Sequence, residues 1–194
     1  MTIAKYIGIA GTALSLSAFA MAQHVQPRTD AGQLVAANAE LETNINAKTA
    51  KAGDVVTAKL TASVRIPDGE ELRRNSLLIG RIDQVVQAAE NNGISTVVLT
   101  FDKAQLKDGQ PIAIKSTIVG IYPEDTPVPA PDLNSQLQLL QEPTSAHGYS
   151  LTSDVQGSNS GVLKADGKDV RVQRGTELEF AMASTAAGSN ASGN

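Results

Sequence analysis

The feature that most constrains this chain is the run from residue 54 to 66, DVVTAKLTASVRI. Side chains along an extended backbone point alternately to opposite faces. Val56, Ala58, Leu60, Ala62, Val64 and Ile66 therefore share one face, and Thr57, Lys59, Thr61, Ser63 and Arg65 share the other. A helix would scatter these residues around its axis. The run predicts a strand with one face in a core and the other in water.

Shorter segments repeat the theme. Leu41, Thr43, Ile45 and Ala47 alternate with Glu42, Asn44 and Asn46, which predicts a first strand; Gly53 then supplies a turn before the long run. Pro67-Asp68-Gly69 is a turn tripeptide. A strand is expected over 77–86, and Gly80 in its middle predicts a bulge or tight bend at a barrel corner. Glu90-Asn91-Asn92-Gly93 predicts a hairpin, because Asn-Gly accommodates two positive φ values. The β-branched run 94–101 is its partner strand. After a turn at 107–111 comes a strand over 112–122, with Ile112, Ile114, Ile118 and Tyr122 on one face. Further strands are expected over 161–165, 170–172 and 176–183, with a turn at Asp166-Gly167-Lys168. In the last of them Leu178, Phe180 and Met182 alternate with Glu177, Glu179 and Ala181. Many short strands joined by glycine turns predict an all-β fold. A small antiparallel β-barrel is preferred over a sandwich, because the last strands can close the edge left by the first.

The 194 residues suit one domain with tails. Residues 1–22 read as a signal peptide: Lys5, an uncharged apolar run over 6–19, then Ala20-Met21-Ala22 as the cleavage signal. Residues 23–32 form a flexible lead-in, 33–183 the barrel domain, and 184–194 a disordered tail rich in Ser, Gly, Ala and Asn. The barrel pattern is interrupted over 123–160 by a segment that carries Pro123, Pro127, Pro129, Pro131 and Pro143. Within it, residues 132–141 have helical spacing, with Asp132 as cap and Leu133, Leu137 and Leu140 on one side. That stripe either folds back over the open end of the domain or docks a partner.

Several chemistries are disfavoured. With no cysteine and only His24 and His147, a zinc or copper centre lacks ligands, and no metal or cofactor is expected. Residues 157–161, Gly-Ser-Asn-Ser-Gly, imitate a nucleophile elbow but centre on Asn159. His147, Ser145, Ser150 and Asp154 are the residue types of a triad, yet all lie in one loop. Glu70-Glu71 and Glu124-Asp125 fall at turns and strand edges, where carboxylates stay in water. A formal charge of −4 without a basic block argues against nucleic acid, and Arg73, Arg74 and Arg81 make only a small basic spot. No catalytic residues are assigned. Aromatic content of 3% also leaves few platforms for sugars.

The order of these elements resembles a known family. Gly53-Asp54 with the strand to Ile66, then Asn75-Ser-Leu-Leu-Ile-Gly80, the run 94–101, and Leu106-Lys-Asp-Gly-Gln-Pro-Ile112 are similar to the C-terminal barrel of TrbI-type proteins of conjugation and type IV secretion. The succession is more similar still to uncharacterised exported proteins of acidobacterial type that carry such a barrel alone. Where the TrbI family reads Pro-Lys/Gln-Gly-Ser, this chain has Arg73-Arg74-Asn75-Ser76, with Asn at the glycine place. The family's outer-membrane antenna follows the Asp-Gly strand, and here that place holds the polar 123–160 segment.

The resemblance implies a β-barrel that works in the cell envelope. The leading expectation is a non-catalytic exported barrel, periplasmic or secreted, that binds or helps assemble another envelope protein. It would use sheet edges and Leu133, Leu137 and Leu140, with no membrane span once the signal is cleaved. The alternative is a periplasmic or secreted module that binds a small ligand or polysaccharide in the barrel mouth near Phe101 and Tyr122.

Overall fold

The structure is a computed structural model, and it describes residues 34–66, 71–106, 108–123, 144–146 and 148–185. The strands are β1 (Val35–Leu41), β2 (Ile45–Asn46), β3 (Val55–Leu60), β4 (Val64–Arg65), β5 (Glu71–Leu72), β6 (Leu77–Val86), β7 (Ile94–Gln105), β8 (Pro111–Tyr122), β9 (Thr144–Ala146), β10 (Tyr149–Thr152), β11 (Gly161–Asp166), β12 (Arg171–Val172) and β13 (Glu177–Ser184). Only a 3-10 turn, Ala88–Glu90, breaks the all-β pattern among the described residues.

Six antiparallel strands close into a barrel in the order β1, β3, β6, β7, β8, β13. The chain winds round the barrel in sequence order, and its last strand pairs with its first, from Val35 opposite Met182 to Glu40 opposite Glu177. Closure removes the unpaired edges that an open sheet would expose. The interior is filled by side chains, as a barrel of this size allows. Phe101 and Phe180 meet edge-to-face at its centre, with ring centroids 5.2 Å apart and planes at 76°. Leu60, Leu78, Leu99, Ile118 and Leu178 pack around them.

Two bulges bend the β6–β7 wall. The register slips between Ile79 and Gly80, where Asp102 is the extra residue on β7, and again at Asp83 on β6. Gly80 is required there: a Cβ would lie 2.4 Å from the Thr100 carbonyl oxygen and 2.8 Å from the Phe101 ring. Arg81 ties the bulges together. Its Nε lies 2.9 Å from Asp83, and Nη1 donates to Asp102. The Thr100 hydroxyl donates to the other oxygen of Asp83.

The wall forks at the middle of β7. The second half of β7 pairs with β8 over Lys103–Gln105, whereas its first half pairs with β11 over Ile94–Leu99. Backbone groups at such a split lose their ladder partners and must find others. Two buried serines supply them. The Phe101 amide donates to Ser160 Oγ at 2.8 Å, and Ser116 Oγ donates to the Phe101 carbonyl at 2.7 Å. The two hydroxyls lie 3.1 Å apart, and the Ile118 amide donates to the Ser160 carbonyl at 2.7 Å. Ser160, in the segment that imitated a nucleophile elbow, thus has a structural task.

Beyond the fork, β11, β10 and β9 carry the sheet away from the barrel. Thr144–Ala146 and Tyr149–Thr152 therefore form strands, although they lie within the loop expected over 123–160. Tyr149 and Leu151 are buried and alternate with the more exposed Ser150 and Thr152, a four-residue pattern obscured by the prolines before it. The small sheets β2–β12 and β4–β5 complete the described fold.

Other local expectations also change. The run over 54–66 is not one strand: β3 ends at Leu60, Ala62 is exposed, and the chain resumes as β4. The strand expected over 41–47 is split, because β1 ends at Leu41 and β2 holds only Ile45–Asn46. On β8, Ile114 and Ile118 face the core, but an extra residue between Ile118 and Gly120 shifts the register. Ile121 then faces the core opposite Leu178, and Tyr122 moves to the other face. Glu179, which alternates with Leu178 and Phe180, is fully buried on that face and accepts a hydrogen bond of 3.1 Å from the Tyr122 hydroxyl.

Candidate functional site

A filled barrel leaves its outside as the working surface. Phe101 is 1% exposed and belongs to the core, while Tyr122 lies on the opposite face of the wall. The two aromatics expected to flank a barrel mouth do not share one.

The clearest interaction feature is the end of the sheet extension. β9 is the last strand in the order and pairs only with β10 among the described residues. Ala146 stands opposite Tyr149, only three positions further along the chain, and Gly148 just before Tyr149 has φ 85°. In a hairpin this tight, the pair flanking the loop exchanges both backbone hydrogen bonds, and the next pair exchanges none. The amide and carbonyl of Ser145 therefore turn away from β10, toward the outer edge. An edge of this kind is a template for another strand.

Two surface pockets have cationic rims. The first, of about 550 Å³, lies between the β9–β10 hairpin and the turn that follows β11; Lys48, Tyr149, Lys168, Asp169 and Arg171 line it. Burial raises the Tyr149 phenol above its ordinary pKa, so it stays protonated at neutral pH. The second, also about 550 Å³, is lined by Arg73, Arg74, Asn75, Gln105 and Leu106. It forms at a turn in which the Ser76 amide donates to the Arg73 carbonyl at 3.0 Å. Asn75 has φ 69° there. It supplies the left-handed conformation that glycine would otherwise provide, as asparagine does most readily among the other residues. Arg81 does not join this spot. It is neutralised by Asp102 and Asp83, and both contacts raise its pKa further.

A third charged group sits on the outer wall. Glu42 accepts from Lys59 at 2.5 Å and from Arg174 at 2.7 Å. The Lys59 hydrogen bond is the main cause that lowers the Glu42 pKa, and the same bond raises that of Lys59.

Of the triad residue types, Ser150 and Asp154 are described with their side chains, and both have local partners. Ser150 Oγ donates to the Lys164 carbonyl at 3.5 Å, and Asp154 accepts from the Gln156 amide within its own turn. His24, His147, Leu133, Leu137 and Leu140 lie outside the described residues, as do residues 1–33 and 186–194. No cluster of three or more metal-ligating side chains occurs among the described residues. No described helix is long and apolar enough to cross a membrane. Sequence reasoning missed the open edge at β9 and the pocket beside it. The only signals were the four-residue alternation of 149–152 and the glycine at 148.

The chain matches no protein-family model and no curated protein. Among solved structures it is similar to ComB10 of the Com type IV secretion system of Helicobacter pylori, at 13% identity. That match covers 74% of this chain and 86% of ComB10, with a TM-score of 0.34. The barrel assignment itself rests on the strand pairing described above.

Proposed function

We propose that this chain is a non-catalytic, exported β-barrel that docks on another cell-envelope protein and helps assemble it. The observation that carries this reading is the sheet extension, which leaves a closed and filled barrel and ends on an edge of β9 that has no partner strand among the described residues. A partner strand added there would gain main-chain hydrogen bonds, with specificity from the side chains beside them. Leu133, Leu137 and Leu140, on the segment that joins β8 to β9, are the apolar residues assigned to the same contact. Export rests on Lys5, the apolar run that follows it and Ala20-Met21-Ala22.

The test is a crosslinking pull-down of the mature protein from fractionated envelope. Wild type is compared with Ser145→Pro, which removes an outward amide, and with Leu137→Asp. A defined envelope partner that is lost in Ser145→Pro, while the thermal midpoint is kept, is the expected result. Retention of every partner by both variants would overturn the docking reading.

A further inference from the structure

We infer that the pocket lined by Lys48, Tyr149, Lys168 and Arg171 is a binding site for a compact organic oxyanion, a small molecule that bears a carboxylate or phosphate group. The inference is independent of the docking reading, since it uses a different face of the extension.

Charge is the first argument. Asp169 is the one carboxylate in the lining, and it is already engaged. Its Oδ1 accepts from the Ala88 amide at 2.8 Å, and its Oδ2 lies 3.8 Å from Lys48 Nζ. Neither Lys168 nor Arg171 forms a salt bridge among the described residues. The pocket thus holds surplus positive charge on a chain whose formal charge is −4. A concave site lined by one sign of charge concentrates ions of the other sign.

Placement is the second argument. A Cβ at residue 148 would lie 2.1 Å from Lys168 Nζ and 2.7 Å from its Cε. The space left by the missing side chain of Gly148 lets the Lys168 ammonium lie against the β9–β10 turn at the pocket rim. Arg171 follows on β12, and its planar fork suits two oxygens of one anion.

Size is the third. Ala88, Ala89, Ala165 and Gly167 leave the floor shallow in side chains, and the buried ring of Tyr149 forms an apolar wall. About 550 Å³ accommodates a compact molecule of mixed character, apolar on one side and anionic on the other.

The experiment is a titration of the ¹⁵N-labelled protein with sodium phosphate and, separately, with sodium succinate, at constant ionic strength with sodium chloride as control. The amides of Gly148, Gly167 and Lys168 are expected to shift saturably with at least one of the two probes and not with chloride. Saturation by phosphate alone assigns a phosphate group, and saturation by succinate alone a carboxylate. Lys168→Ala and Arg171→Ala should each weaken binding about tenfold, the loss expected for a hydrogen bond to a charged group. Both side chains are exposed, so thermal midpoints should hold. Arg73→Ala, in the other pocket, should leave binding unchanged. The inference is overturned if chloride produces the same shifts, if neither probe saturates, or if the double variant Lys168→Ala/Arg171→Ala binds as wild type does.

Discussion

The barrel and the extension that leaves it are built from the same kind of strand but tolerate change differently. In the barrel every strand has two neighbours, and the interior is packed around Phe101 and Phe180. In the extension β9 has one neighbour among the described residues, and the turn after β11 stands at the edge of an open pocket. Stability belongs to the first region, and recognition is proposed for the second. The difference follows from pairing: a closed ladder offers nothing to a partner, whereas an edge does.

The same substitution made in each region should show this contrast most clearly. Gly80→Ala forces a Cβ against the Thr100 carbonyl and the Phe101 ring. It should cost about 3 kcal/mol, the upper range for overpacking a core, in urea unfolding. Gly167→Ala meets no atom within 4 Å and must only tolerate φ 68°. It should cost about 1 kcal/mol. Equal losses at the two positions would remove the distinction.

The fork between the regions gives an intermediate effect. Ser160→Ala takes the acceptor from the Phe101 amide and a partner from Ser116. Leaving buried polar groups unpaired costs about 1–3 kcal/mol. If the fork couples barrel and extension, amide exchange should quicken across β11 and β10 more than on β1 and β13. A uniform change would show that the extension is held by the core alone.

The smallest effect concerns the outer wall. The folded-state pKa of Glu42 lies below its ordinary 4.5, so its ion pair adds stability above that value and loses it as pH falls through the lowered one. Lys59 is raised above 10.5, so its share is complete below that value and fades as pH rises past the folded pKa. Urea midpoints should hold a plateau between these limits, and in Glu42→Gln the acid and alkaline losses should both be smaller. Salt bridges at a protein surface contribute little even when partly buried like this one, so the change should be slight.

Much of this architecture was legible in the residues. Gly53, Gly93, Gly109 and Gly167 all take positive φ, as turn chemistry requires. Gly80 sits at a bulge, and the first and last strands close the barrel. Other features escaped because alternation reports local exposure, not what a neighbouring strand does. Residues 61–63 interrupt a pattern that is unbroken in sequence, and Val119 shifts the face of Tyr122. The 149–152 strand is too short to stand out beside five prolines.

The sequence by itself determined the all-β class, the positions of the turns and which short segments have a face to bury, because these depend on neighbours along the chain. Tertiary structure decided the register, the fork and the pocket. Ser160 meets Phe101 across 59 residues, and Asp169 meets Ala88 across 81. No local pattern encodes such contacts, because their energy exists only once closure has brought the groups together and excluded water from them.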